Sequence, residues 1–290
     1  MRNLLILGGA LALCLLAAFA YPGGTDYGED IVTLRNVSSL LFSILAGFFV
    51  AFLLNRFATI RSLLTRESTM LMQLYKLAQA FGPDFAGAVA NRIDTYLIVR
   101  FDEENYFRFT ARGRDALFSI FDDLAALPPL DNQNITSMHR NFVTTLREAI
   151  SLRRETIVTG TITVSRMQWC PLLMLAVILV TSLFYLKSGS TVSSVLTAIL
   201  AFAIFLILFV IKDLSDLNLG GEFLKFETME RVFEFIGKQR YYPAAQLRSG
   251  VVPDDVTHLR LGVGPGHRYS EKIVNVSLED ACRLARDHPG

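Results

Sequence analysis

NVSSLLFSILAGFFVAFLLNRFATIRSLLTRESTMLMQLYKLAQAF, residues 36–81, decides how this chain folds. Residues 36–55 carry no charged side chain and match the roughly 20 apolar residues that a helix needs to cross a bilayer. Arg56 ends that run, yet the helical pattern continues beyond it. Ile60, Leu63, Leu64, Leu71, Leu74 and Leu77 form a stripe at helical spacing between charged positions. The simplest structure is one long helix that leaves the membrane and packs in a soluble bundle, stopped near Gly82 and Pro83. Asn36 or Ser38 offers a side-chain cap for its start.

Three further windows share the apolar character of the first half of that stretch, which is why the chain is 52% hydrophobic and only 19% charged. An ordinary soluble domain carries about 25% charged residues. The windows lie at 1–24, 167–186 and 188–211, beside the span at 37–55. The first, with core LLILGGALALCLLAAFA, has two readings, an uncleaved membrane helix or a signal peptide, and the uncleaved helix is preferred because the other spans already anchor the chain. The last two are joined by the short polar stretch KSGST, which predicts an antiparallel hairpin. Inside lipid, where every backbone polar group needs an internal partner, continuous runs of this length favour helices. Arg56, Arg61 and Arg66 follow span two, Arg153, Arg154 and Arg166 precede span three, and Lys212 follows span four. That basic excess predicts a multi-pass membrane protein with the central region and both termini cytoplasmic.

The class expected is therefore an all-α membrane protein: four transmembrane helices with a helical cytoplasmic bundle at 56–166, between spans two and three, and a cytoplasmic tail at 212–290. Within the bundle, residues 85–114 and 116–127 read as helices, and a long one starts near Thr136 and runs into span three. Arg140, Arg147 and Arg154 recur every seven residues, as on a salt-laced exposed or subunit-facing side. Asp102, Glu103 and Glu104 point in different directions on a helix and read as solvated rather than metal-binding, as do Asp122 and Asp123. In the tail, Met229, Val232, Phe233 and Ile236 line one side of a short amphipathic helix, a strand is expected at 256–261, and LGVGPGHR reads as a loop. Cys14 and Cys170 are expected to be buried and inert. The four histidines are scattered, no acid, base or nucleophile constellation appears, and neither a catalytic site, a cofactor nor a metal is implied. A net charge of +1 gives no nucleic-acid footprint.

SILAGFFVAFLLNRF, residues 43–57, resembles the neck-helix pattern of the bestrophin-like membrane proteins, including their bacterial branch of unknown function: an aromatic-rich helix with a glycine before an aromatic, then a basic-aromatic pair. Residues 71–81 resemble that branch's post-membrane helix, and residues 96–106 its tyrosine and acidic-aromatic segment. The paired late spans followed by LNLGGEF occupy the place of its post-span turn, so the resemblance covers about residues 37–223. It implies a chloride-permeable channel, a homo-oligomer expected to be pentameric, with the second span lining the pore. The three apolar neck positions fall on Leu40, Ile44 and Phe48, with Gly47 permitting close helix packing and Arg56 and Arg61 at the cytoplasmic mouth. The residues agree, since positions four apart share one helix face and a ring of apolar side chains makes a hydrophobic constriction. The calcium-binding segment of animal bestrophins has no equivalent here, and residues 37–45 lack the neck prolines of the animal proteins.

Two other functions compete with an anion channel embedded in the lipid bilayer. One is a non-conducting scaffold or sensor that binds a protein partner through its cytoplasmic helices. The other is a partner-dependent proton-channel or stator-like subunit, for which the spans supply hydroxyls such as Thr181, Ser182 and Thr197 but no carboxylate.

Overall fold

The computed structural model describes residues 2–21, 28–102, 111–128, 133–162, 164–188, 190–216, 229–249, 256–263 and 272–287. Glu103, Glu104, the Gly220–Gly221 pair and residues 264–268 of the glycine-rich stretch lie outside them. The chain divides into two compact units: a membrane unit of residues 1–57 and 163–219, and a second unit of residues 58–162 and 220–290.

The membrane unit holds α1 (Arg2–Ala20), the first part of α2 (Gly28–Ala78), α6 (Arg166–Tyr185) and α7 (Thr191–Ser215). Three helices are long and apolar enough to cross a membrane, within Gly28–Phe81, Met167–Tyr185 and Thr191–Ser215. The expected fourth, α1, is represented by the shorter apolar stretch Gly8–Ala20, so three of the four expected spans meet the length and apolarity of a crossing among the described residues. Phe42, Ala46, Phe49 and Leu53 of α2 pack with Leu172, Ala176 and Leu179 of α6 and Ile211 and Leu214 of α7. Trp169, the sole tryptophan of the chain, lies against this cluster. α1 packs on α7.

α2 is the long helix expected from the sequence, but it starts at Gly28, ahead of both Asn36 and Ser38, which lie in its interior rather than at a cap. Glu29 and Asp30 in the first turn face the positive end of the helix dipole and favour this earlier start. One seam of buried residues runs along it at three- and four-residue steps: Ser38, Phe42, Ala46, Phe49, Leu53, Arg56, Ile60, Leu64, Glu67, Leu71, Leu74 and Ala78. The end is a 3-10 turn, Gln79–Phe81, followed by Gly82 at φ +112, a backbone angle that favours glycine.

In the second unit, α3 (Pro83–Asp102) packs on α4 (Ala111–Ala125), and α5 (Gln133–Thr161) contacts α4 and the 3-10 turn. Phe81, Phe85 and Phe142 meet edge-on and tilted at centroid distances of 5.4–5.9 Å. α5 does not continue into span three. Ser165 starts α6 through a capping box, its hydroxyl accepting from the Gln168 amide while the Gln168 side chain accepts from the Ser165 amide. The β-branched residues Ile157, Val158, Thr159, Thr161, Ile162 and Val164 weaken helix propensity just before it.

The tail departs from the all-α class. After helix α8 (229–235) come β1 (Tyr241–Pro243), α9 (Ala244–Ser249), β2 (His258–Val263), β3 (Lys272–Ser277) and α10 (Leu278–Asp287). The three strands form one sheet in the order β1-β2-β3, with β1 and β2 parallel and β2 and β3 antiparallel. The expected strand is present, shifted to start at His258. The runs HLRLGV and KIVNVS alternate or carry β-branched residues and are too short for a helical stripe. Tyr242, Leu247, Val256, Leu259, Leu261, Ala281 and Ala285 make the core between sheet and helices. Cys14 is half-buried and Cys170 exposed, so neither is the fully buried thiol expected.

Candidate functional site

Two faces of α2 diverge within the membrane unit. Phe42, Ala46, Phe49 and Leu53 are at most 5% exposed, whereas Leu40, Ile44 and Phe48 are 62%, 62% and 67% exposed. The helical repeat produces this split, because residues four apart rise along the same side of the cylinder. Leu40, Ile44 and Phe48 thus form one continuous apolar strip that the chain's own core leaves uncovered. Gly47 lies on the same exposed side, where an added Cβ would meet nothing within 4 Å.

Two buried cations of this unit place their charge at the C-terminal ends of neighbouring helices. Arg56 is buried, and its Nη1 donates to the Ser215 carbonyl oxygen at 2.9 Å, satisfying a terminal acceptor of α7. Arg56 is therefore turned toward α7, while Arg61 is exposed. Lys187, also buried, follows α6, and its Nζ donates to the Ala18 and Tyr21 carbonyl oxygens at the C-terminal end of α1. Both cations sit where helix dipoles present partial negative charge.

The second unit holds a polar cluster in its interior. Glu67 on α2 accepts hydrogen bonds at one carboxylate oxygen from the Tyr96 hydroxyl and from Arg100 Nη1, both on α3. Arg100 also donates to the Tyr96 hydroxyl at 3.1 Å and lies 5.8 Å from its ring centroid. Glu67 and Arg100 side chains are each 1% exposed. Burial pushes the Tyr96 phenol well above its usual range, and the Glu67 charge adds to this against the opposing effect of Arg100 and Arg153. The phenol therefore stays protonated and serves as a donor. Around this cluster, Arg92 on α3 grips Asp123 on α4 with bonds of 2.9 and 3.2 Å. Asp123 is thus a helix–helix tie rather than the solvated residue expected. Asp102 accepts from the Tyr241 hydroxyl, and Arg260 forks onto Asp94 while its guanidinium lies 5.1 Å from the Phe233 ring centroid. The amphipathic tail helix packs here through Phe233 against Phe101 and Phe235 against Tyr75.

The sequence reading missed Glu67, Arg100 and Arg153 as buried groups. The signal for Arg153 was present: Leu146, Ala149, Arg153 and Thr156 step by three and four along one inward seam of α5. Neighbouring Arg154, like Arg140 and Arg147, is exposed as expected. Among the described residues, no group of three or more His, Cys, Asp or Glu side chains converges as a metal site.

The bestrophin-like domain model matches residues 5–218, about three quarters of the chain. No curated protein and no solved structure matches it. The chain belongs to the bestrophin-like family, a family of membrane channels and scaffolds rather than enzymes.

Proposed function

We propose that this bestrophin-like chain is the subunit of a homo-oligomeric, pentameric ion channel in the bacterial inner membrane, with α2 lining the pore and chloride and other small anions as its permeant ions. The observation that carries this reading is the uncovered strip Leu40, Ile44 and Phe48 on a helix whose opposite face is fully packed. Repeated around an axis, that strip makes an apolar ring that holds ions back by dewetting. Gly47 beside it admits close approach of a neighbouring helix. Arg61 stands exposed past the neck, where it draws anions toward the cytoplasmic mouth; Arg56 contributes there through its hold on α7. Both termini are cytoplasmic in this arrangement.

A second reading, a non-conducting scaffold that binds a protein partner, draws on the tail, because residues 229–287 lie beyond the family-matched span and add an α/β module to it. Chloride flux from liposomes separates the two. The protein with Leu40, Ile44 and Phe48 all changed to Ala should release chloride faster than the natural one, since the ring is widened. Absence of flux from both, in well-formed particles, would remove the channel reading in favour of the scaffold.

A further inference from the structure

From Ile31 to Ala78, α2 contains a single carboxylate, Glu67. Its cations in the second unit are Arg61, Arg66 and Lys76, and all three are exposed, together with Ser62, Thr65, Thr69 and Gln73. Among the charged residues of α2 in the second unit, Glu67 alone is turned inward. Removing a carboxylate from water costs several kcal/mol unless it is well paired. The fold offsets part of that cost with two donors on α3, Tyr96 and Arg100, both directed at one carboxylate oxygen.

A leucine at position 67 would continue the seam of Leu64, Leu71 and Leu74 with no such donors. An exposed glutamate would need none either. The arrangement instead keeps a charged residue and withdraws its charge from the surface. Arg66, the neighbouring residue, remains on the outside and meets Glu148 at 3.6 Å; with side chains 55% and 44% exposed, that pair is strongly screened by water.

We infer that burial sorts the charges of α2, withdrawing Glu67 into the second unit on Tyr96 and Arg100 so that the exposed face of its second half is cationic, and that this sorting sets the preference for anions over cations. The ion-preference part rests on the channel reading; the sorting of charge does not. Arg61, Arg66 and Lys76 are then the specificity-determining charges, and the ion pair with Arg100 is what keeps the Glu67 carboxylate inside the second unit.

Two measurements on the full-length protein test this. In liposomes under a potassium chloride gradient, the reversal potential reports the chloride-to-potassium permeability ratio. Ser62→Glu, which puts a carboxylate on the exposed face, should lower that ratio by about fivefold, the effect of several like charges acting through water at a pore radius of several ångströms. Arg61→Gln should lower it in the same direction, while Glu67→Gln should leave it unchanged. Tyr96→Phe keeps the ion pair and serves as the second buried variant should Glu67→Gln fail to fold; it too should leave the ratio unchanged. A ratio that rises in Glu67→Gln, or that ignores Ser62→Glu, overturns the inference. The second measurement needs no conduction: water-soluble carbodiimide with an amine probe, followed by peptide mass, should label Glu148 and spare Glu67. Equal labelling of the two overturns the sorting itself. Flux absent from both the natural protein and the widened-neck variant overturns the ion-preference role, whatever the labelling shows.

Discussion

Leu172 in the membrane unit and Leu71 in the second unit are both fully buried, yet the same side chain stabilises its surroundings for different physical reasons. Leu71 leaves water when the second unit folds, and that transfer stabilises the fold by about 2 kcal/mol. Leu172 exchanges lipid tails for protein neighbours that are no less apolar, so only close packing favours its place. Polar residues follow the same division. The membrane unit uses Arg56 and Lys187 at helix ends, where backbone carbonyls are already short of partners. The second unit instead buries an ion pair in its interior, between the flanks of α2 and α3. Where water supplies no driving force, charge is spent on helix termini; where it does, the core has enough surplus to enclose a charged pair.

Replacing one buried partner is the most severe way to break this contrast. Arg100→Met strands the Glu67 carboxylate and should cost about 3–5 kcal/mol of the second unit's stability. The double change Glu67→Leu with Arg100→Met should recover most of that loss, because an apolar pair of similar volume is often neutral or better. Thermal unfolding followed by circular dichroism measures the loss. Emission from Trp169, which packs in the membrane unit, should stay unchanged at temperatures where the variant's second unit has melted. A simultaneous shift would show that the two units unfold as one and would end the distinction.

A matched pair of deletions sharpens the comparison at smaller scale. Leu71→Ala should cost about 2–5 kcal/mol, the usual range for a leucine cavity in a water-soluble core. Leu172→Ala should cost less in the same preparation, because it loses packing without a water-transfer contribution. Equal losses in unfolding free energy would contradict that account. The smallest effect belongs to the exposed pair: Arg66→Gln should change stability by less than about 1 kcal/mol and should matter less still in high salt.

Three of the four expected spans, the unbroken length of α2 and the packed side of the tail helix were legible from the sequence because each rests on a local pattern. Met229, Val232, Phe233 and Ile236 share a face by spacing alone, and all four are buried. The strip of Leu40, Ile44 and Phe48 was legible as one face in the same way, but which face the core leaves uncovered depends on where α6 and α7 pack. Glu67, Tyr96 and Arg100 were not legible as a cluster, since Glu67 meets its partners across separations of 29 and 33 residues. The break before α6 had a local signal that went unread, a serine followed three residues later by a glutamine. Strand β2 was half legible, while its pairing with β1 and β3 is a matter of topology rather than of any one stretch.

The Lys187 contact has a consequence for how the protein is made. The carbonyl of Ala18 waits for a side chain 169 positions later in the chain. At the roughly 5–20 residues per second of synthesis, that interval is on the order of ten to thirty seconds. Throughout it, the last turn of α1 is without this donor, and the lysine arrives only with the connection that joins α6 to α7. The end of α1 thus reaches its final hydrogen bonding only after α6 has been made.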